Sequence, residues 1–239
     1  MKLDILAFGA HPDDVELAAS GTILKHITLG KKVGIVDLTL GELGTRGNAT
    51  TRLKESHEAS KILKVEVREN LQLPDGFFEI NEENLLKVIY QIRKYKPEIV
   101  LCNSVSDRHP DHGRGGDLVA RACFLSGLIK VGTQNDDGTL QDAWRPKAVY
   151  RYVQDNWVQP NLIVDITPYF ETKMKAILAY KTQFFNADAE APATPISSPE
   201  FLDFIKGRAN NFGRIISAQY GEAYTVERAV GVSNLLELA

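Results

Sequence analysis

Leu3-Asp4-Ile5-Leu6-Ala7-Phe8, running into Gly9-Ala10-His11-Pro12-Asp13-Asp14, is the stretch that decides how this chain folds. Its first six residues read as a buried strand, and what ends the strand is a small-residue turn carrying an imidazole and two adjacent carboxylates. A second apolar strand, Glu98 to Cys102, is followed by Asp107-Arg108-His109-Pro110-Asp111-His112. Two strand ends thus supply three histidines and four aspartates. Packing does not require that combination; it is the composition of a metal site suited to hydrolysis.

Working outward, strand and helix alternate. A helix is expected from about Asp14 to Leu29, where Gly30 ends it. Strand Val33–Thr39 and the glycine-rich loop Gly41–Asn48 follow, then a helix from about Arg52 to Leu63 and a strand over Val65–Leu71. Asn81–Tyr95 reads as a helix stopped by Pro97, Glu98–Cys102 as a strand and Gly113–Leu128 as a helix. This alternation predicts an α/β, Rossmann-like fold: a mostly parallel sheet with helices on both faces. The rest is less regular. Short strands are expected at Ala148–Val153 and Leu162–Val164. Thr167-Pro168 looks like a cap opening a helix to about Phe185, and Ser198-Pro199 another opening a helix to about Tyr220, with an exposed loop from Ala187 to Ser198 between them. With no repeat and no linker, residues 1–239 read as a single domain, with a regular core over about 1–130 and a looser part over about 131–239.

In a parallel sheet the carboxyl ends of the strands share one edge, and ligands bind in the crevice there. The two polar runs therefore meet although His11 and His112 lie 101 positions apart. His11 and Asp14, three apart at a helix start, can reach one point, and His112 supplies a third ligand. Two imidazoles and a carboxylate suit Zn²⁺ with a fourth position left for water; Fe²⁺ is compatible with the same donors. Asp13 is then the general base. His109 is the acid or oxyanion-stabilising group, as an imidazolium, with Asp111 holding it in that state. Other readings stay open: either Asp13 or Asp14 would serve as a helix cap. Arg52 is either a surface charge or a crevice residue that binds a substrate anion or hydroxyl. His26 and His57 lack metal-spaced partners, and Asp188 and Glu190 read as solvated. The loop Gly41–Asn48 matches no phosphate-binding fingerprint, and no G-x-G-x-x-G follows the first strand, so no cofactor-binding residues are assigned.

Bulk properties narrow the classes further. A net charge of −3 gives no reason to expect nucleic acid, and 44% hydrophobic with 25% charged residues is ordinary for a globular chain. Cys102 and Cys123 make neither a disulfide framework nor a cysteine zinc motif. Met1-Lys2-Leu3-Asp4 is not expected to open a signal peptide, and no apolar run approaches the roughly 20 residues of a membrane span, so a cytoplasmic location is expected.

Ala10-His11-Pro12-Asp13-Asp14-Val15-Glu16 together with Arg108-His109-Pro110-Asp111-His112 resembles the LmbE-like N-acetylglucosaminyl deacetylases over nearly the whole chain. Asp37–Leu43, Tyr95-Lys96-Pro97, Pro160-Asn161 and Tyr180–Phe184 look most like the bacillithiol-biosynthesis branch, whose substrate is an N-acetylglucosamine–malate conjugate. The resemblance implies Zn²⁺ on His11, Asp14 and His112, Asp13 as base, His109 near the oxyanion, and a homo-oligomer, often hexameric. Arg52 and Arg108 are placed on the side of a small amino-sugar substrate. Deacetylases of chitooligosaccharides or of GlcNAc-inositol share the same metal motif, and a non-catalytic doubly wound ligand-binding module is the reading from a different class.

Overall fold

The computed structural model describes residues 1–184 and 191–237; the expected end of a helix at Phe185 and the solvated Asp188 and Glu190 lie outside the described residues. One seven-stranded sheet runs through the molecule in the order β3-β2-β1-β4-β5-β7-β6. Strands β1 (Ile5–Gly9), β2 (Val33–Thr39), β3 (Val67–Leu73), β4 (Ile99–Cys102) and β5 (Ala148–Tyr152) are parallel. β7 (Gly221–Val226) runs antiparallel between β5 and β6 (Leu162–Asp165). The apolar runs of β1 and β2 are buried along their whole length because helices cover both faces of the sheet. On one face α3 (Glu82–Tyr95) and α4 (Pro110–Leu125) close a core around Phe8, Val36, Val100 and Val119. On the other, α1 (Asp14–Thr28), α2 (Ala49–Leu63) and α5 (Phe170–Ile177) cover Ile5, Ala7, Ile35 and Leu101. The last helix, α6 (Pro199–Ile215), packs on β7.

The order 3-2-1-4-5 reverses direction between β1 and β4. Such a topological switch point opens a crevice at the carboxyl ends of those two strands, and these are the strands that carry the two polar runs. α4 approaches that edge closely because Gly115 and Gly116 carry no side chain. A Cβ on Gly116 would stand 2.5 Å from the carbonyl oxygen of Asn103, just beyond β4.

Several boundaries differ from the sequence reading. Helix α4 begins at Pro110, not Gly113, with His109 as N-cap, which moves Asp111 and His112 into its first turn. Helix α2 begins at Ala49, not Arg52, because Asn48 and Thr51 form a reciprocal capping box. β3 is shifted two residues toward the C-terminus. Thr167-Pro168 opens a 3₁₀ turn rather than an N-capped helix, and the helix behind it stops at Ile177, before Phe185; the Thr167 hydroxyl instead accepts a bond from the Tyr220 amide. Ser198 does cap α6, but that helix ends at Ile215 rather than near Tyr220 because the chain turns into β7, a strand the sequence reading lacks. Glu222 of β7 explains how this irregular part is fastened. Its carboxylate accepts the Gly21 and Thr22 amides of α1 and the Lys173 ammonium of α5.

Gly116→Ala is expected to lower stability by about 1–3 kcal/mol in chemical denaturation, since the new methyl meets backbone that cannot step aside. Gly132→Ala, where a Cβ meets nothing within 4 Å, should change it by less than about 0.5 kcal/mol.

Candidate functional site

The loops that follow β1, β2, β3, β4 and β5 line one cavity of about 270 Å³. Asp14 occupies its floor, almost wholly buried. One of its oxygens accepts the His11 amide and the Asn103 side-chain amide, both at 3.0 Å. The other accepts Gln154 Nε2 at 2.7 Å and faces His112 Nε2 at 3.1 Å. His11 Nδ1 stands 3.6 Å from the same carboxylate. The three expected ligands, His11, Asp14 and His112, therefore lie together. His109 joins them, its ring centroid 4.6 Å from that of His11 and 5.2 Å from that of His112. Ligand atoms of His11, His109 and His112 fall within 4.8 Å of one another, as do those of His11, Asp75 and Asp111.

Each of the two rings facing Asp14 is backed by a further carboxylate. His112 Nδ1 pairs with Asp107 at 2.7 Å, and His11 Nε2 with Asp75 at 3.1 Å. Such outer partners fix ring orientation and raise ligand basicity. Sequence reading missed Asp75, Asn103 and Gln154. Each is a polar residue just past a strand end and outside the two histidine-bearing runs, and position at the sheet edge was the only signal available.

The electrostatics fit a cation. Burial alone would lower the pKa of His112, but Asp14 and Asp107 outweigh it and lift it to about 9. His11 is lifted well above its ordinary value, against burial, by Asp111, Asp14 and Asp75. Burial would raise Asp14, yet the two imidazoles hold it well below the usual carboxylate range. A ring with a carboxylate at each nitrogen needs positive charge between ring and carboxylate, supplied by a proton or by a metal ion. The donor set thus fits a divalent cation.

Asp13 is separated from Asp14 by the backbone. Its φ of 121° is one that non-glycine residues rarely adopt, it makes no side-chain cap to α1, and its carboxylate turns away to Arg52 at 3.0 Å. Asp13 thus stands at the N-cap position of α1 without its carboxylate capping the helix, and the Asp14 carboxylate is spent on His11, Asn103 and Gln154. Burial raises Asp13 to about 7, and the Arg52 guanidinium opposes that rise. Arg52 faces the crevice, but its guanidinium is engaged: it donates to Asp13, to the Pro12 carbonyl and to Gln183 Oε1. Gly41, with φ +64°, leaves room for it; a Cβ there would lie 2.9 Å from Arg52 Cζ. Arg108 lines the cavity and pairs with Asp155 at 2.5 Å.

The expected pairing of Asp111 with an imidazolium at His109 is corrected. The Asp111 carboxylate accepts the Gly76 amide and Arg114, and stands 3.5 Å from His11. As N-cap of α4, His109 instead accepts the Asp111 backbone N–H on Nδ1. Burial, together with the charges of His11 and His112, lowers its pKa. Both the lowered pKa and the bond accepted on Nδ1 favour the neutral ring, whose Nε2 would carry the proton.

The chain is similar to known deacetylases in sequence and to solved structures in fold. The family described as GlcNAc-PI de-N-acetylase (PIG-L) matches residues 6–123. The chain is 30% identical to the diacetylchitobiose deacetylase of Thermococcus kodakarensis over 190 residues, 75% of this chain and 70% of that protein. It is 25% identical to a probable N-acetyl-α-D-glucosaminyl L-malate deacetylase 2 of Bacillus anthracis, over 75% of this chain and 81% of the other. The crystal structure of a conserved protein from Thermus thermophilus superposes with a TM-score of 0.85 at 30% identity, covering 97% of this chain and 98% of that one. Among the described residues no helix is long and apolar enough to cross a membrane.

His112 binds its proton more tightly in the fold than its ordinary value of 6.5, so that proton stabilises fully below pH 6.5 and its contribution is lost as pH rises toward about 9. Chelator-treated protein should accordingly show a melting temperature that falls between pH 6.5 and 9, with a shallower fall in His112→Gln. A saturating divalent cation should raise the melting temperature most at the alkaline end, where protons no longer compete for the ring.

Proposed function

The chain belongs to the PIG-L family of LmbE-like deacetylases, enzymes that hydrolyse N-acetyl groups, and from that footing we propose that it removes the acetyl group from an N-acetylglucosamine conjugate. The observation that carries this reading is the split between Asp13 and Asp14. Neighbours in sequence, they face different partners, one Arg52 and the other the imidazoles. His11, Asp14 and His112 would hold the metal, with Zn²⁺ the first choice for two imidazoles and a carboxylate and Fe²⁺ the second. When bound, the cation acidifies water and polarises the amide carbonyl.

The chain's own residues supply the proton traffic. Asp13, raised toward neutrality by burial, takes a proton from the attacking water and passes it to the leaving nitrogen as the C–N bond breaks, giving acetate and a free amine. Arg52 keeps the Asp13 carboxylate aimed and partly offsets its raised pKa. His109 Nε2–H donates to the carbonyl oxygen as negative charge builds there, and the Asp111 amide on Nδ1 holds the ring in that tautomer. Asp111, through its contact with His11, acts on the metal side of the site. Arg108 stays in the reading as a substrate-facing residue at the cavity rim.

For the rest of the substrate, the segments resembling the bacillithiol branch and the Bacillus anthracis relative support a malate conjugate. The Thermococcus kodakarensis relative supports a second reading, an N-acetylated chitooligosaccharide. A cytoplasmic homo-oligomer, hexameric by resemblance, completes the proposal.

Metal-loaded protein should release acetate from GlcNAc-malate or from diacetylchitobiose and stop when chelator is added; release from neither, nor from any other N-acetylglucosamine conjugate, would sink the proposal. Asp13→Asn should retain metal while kcat falls about 10²–10⁴-fold. Since Arg52 lowers the pKa of Asp13, Arg52→Gln should move the acidic limb of the kcat/KM profile to higher pH.

A further inference from the structure

Most buried arginines of the described chain have their acceptors. Arg52 has Asp13 and Gln183 for its terminal nitrogens, although its buried Nε has no partner; Arg68 has Glu16 and both oxygens of Asp37; Arg93 has three carbonyls and the Thr133 hydroxyl; Arg151 has Asp117 and Glu227. Arg46 is different. Only 6% exposed, it lines the same cavity as the aspartate and histidine cluster, yet no acceptor among the described residues meets its guanidinium, and Nε is buried with no hydrogen-bond partner. The reason is local. Gln183, the polar side chain beside it, spends its amide nitrogen on the Arg46 carbonyl and its amide oxygen on Arg52. The carboxylate on this side of the cavity, Asp13, is taken by Arg52.

A second cation on the cavity wall is also short of acceptors. Arg208 of α6 donates to the Leu17 carbonyl and lies over the Phe204 ring, and no carboxylate among the described residues stands within 4.0 Å of it. An unpaired guanidinium held away from water is costly. The planar fork of guanidinium donors matches the oxygens of a carboxylate or phosphate. Neither arginine touches the histidines or the carboxylates around Asp14, so neither is engaged with the reacting acetamide.

We propose that Arg46 and Arg208 form an anion subsite, one that selects N-acetylglucosamine conjugates bearing a carboxylate or phosphate on the group attached to the sugar. This deepens, and rests on, the proposed deacetylation. Arg46 and Arg208 set specificity; Asp13 and His109 carry the chemistry.

Acetate release from three matched probes tests it: the methyl glycoside, the carboxymethyl glycoside and the 1-phosphate of N-acetylglucosamine. The native enzyme is expected to favour at least one charged probe over the methyl glycoside by about tenfold or more in kcat/KM, and which one it favours separates carboxylate from phosphate recognition. Arg46→Gln should collapse that ratio toward one through KM, and Arg208→Gln should reduce it. Equal use of charged and neutral probes by the native enzyme, or a ratio that survives Arg46→Gln, overturns the subsite. Calorimetric titration of glycolate and methyl phosphate into the metal-loaded protein is a separate arm. Binding that Arg46→Gln abolishes supports the subsite even if none of the three probes releases acetate, an outcome that would count against the deacetylase reading alone. Absence of binding, or binding indifferent to Arg46→Gln, overturns it. Melting curves would check that the variant is folded: loss of a buried charge with no acceptor should leave its ligand-free melting temperature at or above that of the native chain.

Discussion

Four chain segments converge on the carboxylate of Asp14. It accepts the His11 amide from the end of β1, the Asn103 side chain from the end of β4 and Gln154 from the end of β5, and it faces His112 in the first turn of α4. A buried carboxylate needs all its acceptor sites filled, and here the fillers come from parts of the chain that only a doubly wound sheet brings together. The geometry of the crevice follows from satisfying this one group. Asn103 also accepts the Ala10 amide, so the two strand ends are tied twice, and Gly116 lets α4 come close enough for His112 to reach in.

Around that centre, charge is divided rather than pooled. Asp14, Asp75, Asp107 and Asp111 surround the imidazoles and keep low pKa values, which makes the site attractive to cations. Asp13 faces a guanidinium instead and is pushed up to about 7. A strained backbone at Asp13 is what sends two adjacent side chains in different directions, a strain that the buried ion pair with Arg52 holds in place. The pKa of His109 is lowered for a related reason: it is half-buried beside the His11 and His112 rings, and its Nδ1 already accepts a helix-start amide. One crevice therefore holds a carboxylate kept low in pKa among imidazoles, a second raised to about 7 beside a guanidinium, and an imidazole whose pKa is lowered.

The cavity wall is assembled from less regular structure. Arg46 sits in the loop after β2, Gln183 follows α5, and Arg208 lies on α6, which is anchored to the sheet through β7. Reaction groups on strand ends are held by the sheet ladder, whereas groups on loops and peripheral helices can vary without disturbing it. The cluster around Asp14 therefore rests on strand ends and helix starts, while Arg46 and Arg208 come from the loop after β2 and from peripheral α6.

The parallel half was legible in the sequence because alternating strands and helices, with buried strands of unbroken apolar character, leave few other arrangements. The His11-to-Asp14 and His109-to-His112 runs were legible because polar clusters directly after such strands have one destination. What the sequence could not carry was side-chain pairing across distance. Asp75 behind His11, Gln154 on Asp14 and Arg52 on Asp13 are single residues whose partners lie 64, 140 and 39 positions away. The same holds for Asp111, which sequence proximity assigned to His109 and which the first turn of α4 directs toward Arg114, Gly76 and His11. β7 escaped notice because its six residues form a strand only by lying between β5 and β6. Local patterning and topology therefore determined which residues meet at the crevice. Only the tertiary structure decided which charge faces which, because that depends on buried groups satisfying one another across segments that patterning treats as independent.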